Sequence, residues 1–158
     1  MRHCLKTCLL LCGLLLQTGA YAENLIAEDA WVRAAPPGMT VLAAYMVLQN
    51  HGDATQLTAV SSPQFDSVEV HRTVITDGVA SMEAVPALDL PMHGTVRLEP
   101  NGLHLMLFDP KAALAVGEKV NLELRFANGA TLSVVADVRA AAEPTSGEHP
   151  MHEHDHPH

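Results

Sequence analysis

The sequence predicts a single all-β domain, built as a sandwich or a barrel. No long stretch keeps a helical period of apolar residues. Short runs of β-type residues instead alternate with turn residues, at a spacing typical of sandwiches and barrels. The chain of 158 residues has the length of one domain with a proper hydrophobic core.

The predicted strands follow one another with short polar connections. Turn residues lie between them, in PPG, NHGD, TDG, PNG, VGE and ANG. In the last pair of strands, Asn128-Gly129 is the favoured sequence of a tight primed turn, so these strands should form a closing hairpin. In chain order the predicted strands are AWVRAA, VLAAYMVLQN, TQLTAVSS, SVEVHRTVIT, VASMEAV, TVRLEP, LHLMLF, KVNLELRF and TLSVVADVRA. The closing hairpin should contribute these side chains to the core: Leu122, Leu124, Phe126, Leu132 and Val134.

Residues 1–22 have the pattern of a secretory signal peptide. Two basic residues precede an apolar run at 9–16, and Ala-Tyr-Ala at 20–22 is a small-x-small cleavage site. We therefore expect export to the periplasm, cleavage after Ala22 and a folded domain at 23–140. The apolar run is shorter than the roughly 18 residues of a membrane span, so no span should remain after cleavage. Leu11 before Cys12 disfavours a lipoprotein, because a small residue is wanted there.

Cleavage would change the cysteine content and the charge of the chain. All three cysteines, Cys4, Cys8 and Cys12, lie in the segment that would be removed, so the mature chain would contain no thiol and no disulfide. Loss of Arg2 and Lys6 leaves 7 of the 9 basic residues against 18 acidic ones, a formal charge of −11. This balance argues against nucleic acid as a partner and favours cations or a basic protein surface. We expect a monomer.

The stretch NGLHLMLFDP, at 101–110, predicts a strand with two unusual residues on one face. Leu103, Leu105 and Leu107 alternate as core residues would, and side chains two apart on a strand share a face. His104 and Met106 should therefore lie side by side on the non-core face. A thioether on such a face suggests that its sulfur has a role.

A second His/Met pair follows from a predicted hairpin at TDG. If Asp77-Gly78 is a two-residue turn, Thr73 pairs with Met82 and His71 lies diagonal to Met82 on the same face, away from the core. The same register places Arg72 opposite Glu83 on the inward face. We expect that charged pair to lie at the rim of the sandwich, unless the turn is longer.

Together His71, Met82, His104 and Met106 form a soft, closed ligand set. Thioether sulfur selects Cu(I) over zinc and over hard cations. Four protein ligands leave no open position for a substrate, which favours binding or delivery and argues against an enzyme. An electron-transfer cupredoxin is less consistent, because blue copper needs a cysteine thiolate. Copper storage or buffering stays open beside delivery, since both require only affinity.

The spacing of these four residues resembles the signature of the periplasmic copper chaperones of the PCuAC family. Ten residues separate His71 from Met82, 21 separate Met82 from His104, and one separates His104 from Met106. The opening strands and the segment GLHLMLFDPKAALAVGEKVNLELRFANG are also similar to the family. The position two residues after His71, where many members carry a second Met, is Thr73 here.

The resemblance implies a fold and a task. The expected fold is a cupredoxin-like Greek-key β-sandwich or barrel that binds one Cu(I). The expected task is delivery of copper to the CuA centre of cytochrome c oxidase, with the apo CuA domain of subunit II as acceptor. A Sco-type thioredoxin-like copper protein is a further implied partner.

Residues 141–158 predict a disordered tail with a metal signal of its own, because the segment lacks apolar periodicity. Imidazoles interleaved with carboxylates suit Cu(II), Ni(II) or Zn(II) better than Cu(I), and we expect Cu(II). A merely solubilising tail is the alternative. The candidate tail ligands are His149, Met151, His152, His154, His156 and His158.

Other methionines and histidines have weaker cases as ligands. Met92 and His93, in LPMHG, should lie in a surface loop, with a smaller chance of contacting metal. Met46 is predicted to be a core residue, and Met39 and His51 are predicted to be loop residues.

Overall fold

A computed structural model describes residues 24–140 of the chain, which form an all-β domain of ten strands. Nine of these strands fall on the predicted runs, and the short β6 was not predicted. The strands are β1 Leu25–Arg33, β2 Val41–Asn50, β3 Thr55–Ser61, β4 Phe65–Thr76, β5 Val79–Ala84, β6 Leu88–Leu90, β7 Thr95–Leu98, β8 Leu103–Pro110, β9 Lys119–Phe126 and β10 Thr131–Arg139.

Seven of the strands close into a barrel. Their order is β4-β8-β2-β1-β10-β9-β3, and β3 returns to β4 through the pair Val60 and Val68. The β1–β10 pair is parallel, whereas the other pairs in the ring are antiparallel. Strand β5 extends the sheet beyond β4, β6 pairs with β3, and β7 pairs with the end of β2. The described residues contain no helix long and apolar enough to cross a membrane.

The barrel interior is filled by one alternate set of side chains from each strand. Leu105 and Leu107 are completely buried, and Leu103 packs against them from the edge, as the alternation predicted. Full burial of a leucine side chain contributes about 1.5–3 kcal/mol. The expected core residues of the closing hairpin are also confirmed, with Leu132 partly buried against the rest.

The two predicted hairpin turns differ in their outcome. Asp77 and Gly78 both have positive φ, 52° and 79°, as a two-residue primed turn requires, and the predicted register of β4 and β5 is confirmed. In the closing hairpin only Gly129 has positive φ, at 85°. The chain needs more than two residues there, because Arg125 pairs with Thr131 and the Phe126 N–H donates to the carbonyl of Ala130. The expectation of a tight primed turn at Asn128-Gly129 was wrong.

The charged pair that the register places on the inward side lies beyond the core. Arg72 pairs with Glu83, and both residues are exposed. All of β5 is exposed, so the β4–β5 hairpin projects past the end of the barrel interior. The expected position at the rim is therefore confirmed without any lengthening of the turn.

Candidate metal centre

Three adjacent strands bring the predicted histidines and methionines to one face of the sheet. Strand β4 lies between β5 and β8, and its His71 pairs directly with His104 of β8. Met82 pairs with Thr73, which makes it a diagonal neighbour of His71. Met106 follows His104 by two residues on the same face and pairs with Ala43 of β2. The imidazole rings of His71 and His104 have their centroids 6.3 Å apart.

The depth of the candidate ligands differs from one residue to the next. His104 is only 5% exposed, the His71 side chain is 13% exposed, and Met106 is half-buried. Met82 is 60% exposed on the projecting hairpin. Sequence alternation placed this face away from the core, but His71 and His104 are largely covered there, whereas Met82 is exposed.

The hydrogen bond of His104 determines which of its nitrogens can bind a metal. Its Nδ1 lies 3.0 Å from the carbonyl oxygen of Gly102. A carbonyl oxygen only accepts, so Nδ1 carries the proton and donates it. In the neutral imidazole Nε2 then holds the free lone pair. A backbone carbonyl on the second nitrogen is a common device for orienting a metal-binding histidine.

His71 has the opposite arrangement of its nitrogens. Its Nε2 lies 2.9 Å from Oε2 of Glu69, a residue two positions earlier on the same face of β4. Its Nδ1 is buried and has no hydrogen-bond partner within residues 24–140. A buried nitrogen without a partner is costly, at about 1–3 kcal/mol. A metal ion bound at Nδ1 would remove that cost, so this nitrogen fits a ligand role.

The two imidazoles and the two thioethers thus combine neutral, soft donors. No group of three or more His, Cys, Asp or Glu side chains within the described part of the chain could hold a metal ion. A harder site of carboxylates and imidazoles is therefore not formed by residues 24–140. The His/Met cluster is the candidate metal centre of this domain, and thioether sulfur is a donor that favours Cu(I).

A pocket of about 400 Å³ opens beside the cluster. His104, Met106 and Met82 line it from the β-sheet side, and the connection from β1 to β2 lines it from the other side. Met39 belongs to that connection, and its presence in this pocket was not predicted. Glu69 is the second residue that sequence reasoning missed, although its position two residues before His71 on one strand placed it on the same face.

An aromatic pair lies beside Arg33, a residue that lines this pocket. Trp31 and Tyr45 pack with ring centroids 4.5 Å apart, and the guanidinium of Arg33 lies 5.6 Å from the centre of the Tyr45 ring. Burial raises the pKa of the Tyr45 hydroxyl, and the charge of Arg33 opposes that shift. Tyr45 therefore stays neutral at physiological pH, and Arg33, which lines the pocket, is held against it.

The other candidates from the sequence lie away from the cluster. Met46 is a buried core residue and His51 is exposed in a loop, as predicted. Met92 and His93 occupy the turn between β6 and β7 and are not among the residues that line the pocket. The cleavage site at Ala22 and the tail ligands lie outside the described residues. The tail residues that the sequence predicts as metal ligands are His149, Met151, His152, His154, His156 and His158.

Comparisons with known proteins agree with the barrel, and two of the similar structures are copper-bound. The copper-bound PCuAC domain from PmoF2 superimposes with a TM-score of 0.64 at 27% identity, over 75% of this chain and 94% of that domain. The Cu(I) form of DR1885 from Deinococcus radiodurans gives a TM-score of 0.61 at 37% identity, over 78% of this chain and 83% of the other. The fold is that of the PCuAC-type copper chaperone domains, and the predicted cupredoxin-like architecture is confirmed.

The sequence comparisons identify the family. A family model described as "Putative lipoprotein LpqE-like" matches residues 25–138. The "Putative lipoprotein Lxx21020" of Leifsonia xyli subsp. xyli is 36% identical over 123 residues, which cover 77% of this chain and 73% of that protein. The chain belongs to the LpqE-like family.

Proposed function

We propose that this protein is an exported copper chaperone that binds one Cu(I) through His71, Met82, His104 and Met106. The observation that carries the proposal is the pairing of His71 with His104 across β4 and β8. The hydrogen bonds of the two rings leave one unprotonated nitrogen on each. His71 would bind through Nδ1 and His104 through Nε2. The copper-bound relatives support the nature of the cargo.

The proposed chemistry follows from the donor set. Two thioethers favour Cu(I) over Cu(II) and over zinc, because Cu(I) is the softer ion. Glu69 and the carbonyl of Gly102 would orient the two imidazoles from behind, so the histidines need little rearrangement when copper arrives. The thioethers carry no proton to lose, so half of the set binds without proton release.

Delivery, rather than catalysis, suits a site that four protein ligands fill. Met82 is exposed at the tip side of the cluster, so an acceptor could replace it first and then take the remaining ligands in turn. We propose the apo CuA domain of cytochrome c oxidase subunit II as the acceptor, with a Sco-type protein as a second partner in the same assembly. Without Arg2 and Lys6, the formal charge of −11 favours a basic docking patch on the acceptor.

The proposed location is the periplasm, after removal of residues 1–22. The relatives named as lipoproteins support export. Their name also gives weight to the alternative that the exported chain is lipid-anchored through Cys12, in which case residues after Cys12 would form a tether. The two forms differ in mass and in their first residue.

The His-rich tail is proposed to bind Cu(II) and to supply copper to the domain after reduction. The described chain ends close to the pocket, since the Ala34 N–H donates to the carbonyl of Arg139 at 2.8 Å, and Ala34 lines the pocket. Tail residues after Ala140 would therefore start at the pocket edge. A tether of this kind raises the effective concentration of the donor to about millimolar.

The test of the proposed function is transfer of copper to an apo CuA domain. The mature protein, loaded with Cu(I), is mixed with the acceptor, and the absorbance of the purple CuA centre is followed. We expect the centre to form, and to form more slowly as ionic strength rises from low to physiological, because opposite charges steer the encounter.

A variant with a weakened copper site is the control for the transfer experiment. Met106→Ala should bind Cu(I) at least about tenfold more weakly, equivalent to about 1.4 kcal/mol. If the parent protein holds Cu(I) but never populates the CuA centre, copper storage or buffering becomes the better function. A transfer rate that ignores ionic strength would contradict the charged docking surface.

A further inference from the structure

We propose that Met39 is a third thioether of this copper site, and that it contacts Cu(I) while the ion is loaded and released. This inference rests on the proposed function, since it assigns a further residue to the same site. Its basis is that Met39 lines the same pocket as Met82, His104 and Met106. The three methionines come from three separate parts of the chain: the β1–β2 connection, β5 and β8.

The local sequence explains why Met39 is held at the pocket. Residues 36–39 form a turn in which the N–H of Met39 donates to the carbonyl of Pro36 at 3.3 Å. Gly38 has φ of 90°, which the third position of a type II turn requires, and Pro37 before it fixes the preceding φ. A turn with two prolines is stiff, so it presents the methionine at low entropic cost.

Packing does not account for the choice of methionine at this position. Met39 is 51% exposed and is not part of the hydrophobic core, whereas Met46 is buried there. An exposed thioether beside a buried imidazole can bind a soft ion that enters or leaves the site. Among the residues that line this pocket, Arg33 is the charged one, and the others near Met39 are apolar. A neutral sulfur is the donor that such a wall can supply.

A third sulfur solves a kinetic problem of a closed site. Cu(I) held by four ligands leaves only when each broken bond is replaced, and a pocket wall without donors would make the first step slow. Met39 can bind copper as Met82 swings away with the exposed hairpin, so the ion keeps its ligand number during exchange. No bond to the protein backbone changes, and no electron or proton is transferred in this step.

The experiment uses the mature full-length chain with ¹³C-labelled methionine methyl groups, each assigned by a Met→Leu variant. Cu(I) is added without oxygen and with a reductant, and the methyl resonances are recorded. The rate of Cu(I) transfer to a chromogenic chelator is then measured for Met39→Leu and for Met92→Leu. Met92 is a matched control, because it is 58% exposed but lies in the β6–β7 turn outside the pocket.

We expect the Met39 methyl resonance to move with Cu(I), as those of Met82 and Met106 do, and the Met92 resonance to stay in place. Transfer should slow at least about fivefold in Met39→Leu and remain at the parental rate in Met92→Leu, while Cu(I) affinity changes by less than about threefold. A stationary Met39 resonance, or a parental transfer rate in Met39→Leu, overturns the inference. If Met82 and Met106 are also stationary, the proposed function itself fails.

Discussion

Replacing His71 by leucine should separate copper binding from stability, because the unpaired nitrogen of this residue costs free energy in the metal-free protein. Nδ1 of His71 is buried without a hydrogen-bond partner in the described part of the chain, whereas Nδ1 of His104 donates to the carbonyl of Gly102. His71→Leu and the matched variant His104→Leu both lose a proposed ligand. The two apo variants should differ in their free energy of unfolding.

The size of the difference can be worked from the contacts. Leucine at 71 removes an orphaned nitrogen worth about 1–3 kcal/mol. It also removes the interaction with Glu69, whose side chain is more than half exposed, so that this loss is at most about 1 kcal/mol. Apo His71→Leu should therefore be as stable as the parent or slightly more stable. Leucine at 104 removes the hydrogen bond to the Gly102 carbonyl, which still accepts from the Thr73 N–H at 3.1 Å, and should cost about 0.5–1.5 kcal/mol.

The assay has two parts, both on the mature protein. Urea denaturation of the apo proteins gives the free energy of unfolding, and competition with a Cu(I) chelator gives the affinity. Both variants should lose at least about tenfold in Cu(I) affinity. His51→Leu is the control, because His51 is exposed in a loop away from the pocket. The reasoning is refuted if apo His71→Leu is destabilised as much as His104→Leu, or if it binds Cu(I) like the parent.

Three further predictions concern the ends of the chain. A truncation after Ala142 should lose its Cu(II) capacity and keep Cu(I) binding, as separate titrations would show; equal Cu(II) binding with and without the tail would refute the division between tail and domain. Cu(II) should also leave the tail as the pH falls below about 6.5, where unperturbed histidines take up protons. Intact mass of the exported protein should correspond to a first residue Glu23; a lipid-modified Cys12 at the N-terminus would instead support the lipoprotein alternative.

Local rules determined much of the site from the sequence. Asp77-Gly78 favours a two-residue turn, because Asp and Gly are preferred at its positive-φ positions, and this turn sets the β4–β5 register to the residue. The alternation of leucines at 103–107 placed His104 and Met106 on one face. These rules do not show whether the His71/Met82 pair meets the His104/Met106 pair, because that depends on β4 lying beside β8.

Long-range packing determined what the sequence rules missed. Nothing local to Met39 shows that its turn lies against β8, because 64 residues separate it from His104 along the chain. The burial of His104 has the same origin, since alternation distinguishes two faces of a strand but does not say what covers the second face. The short β6 contains only three residues, too few for a period to be recognised.

The arrangement of the proposed ligands suggests how one site could both hold copper and release it. The two histidines are recessed on central strands, and each is oriented by a hydrogen bond through its second nitrogen. The thioethers of Met82 and Met39 lie on the exposed side and have no such constraint. Tight binding requires preorganised ligands, whereas fast exchange requires ligands that can move. Because the two requirements are met by different residues, changes at Met82 and Met39 should alter transfer more than affinity, and changes at the histidines should do the reverse.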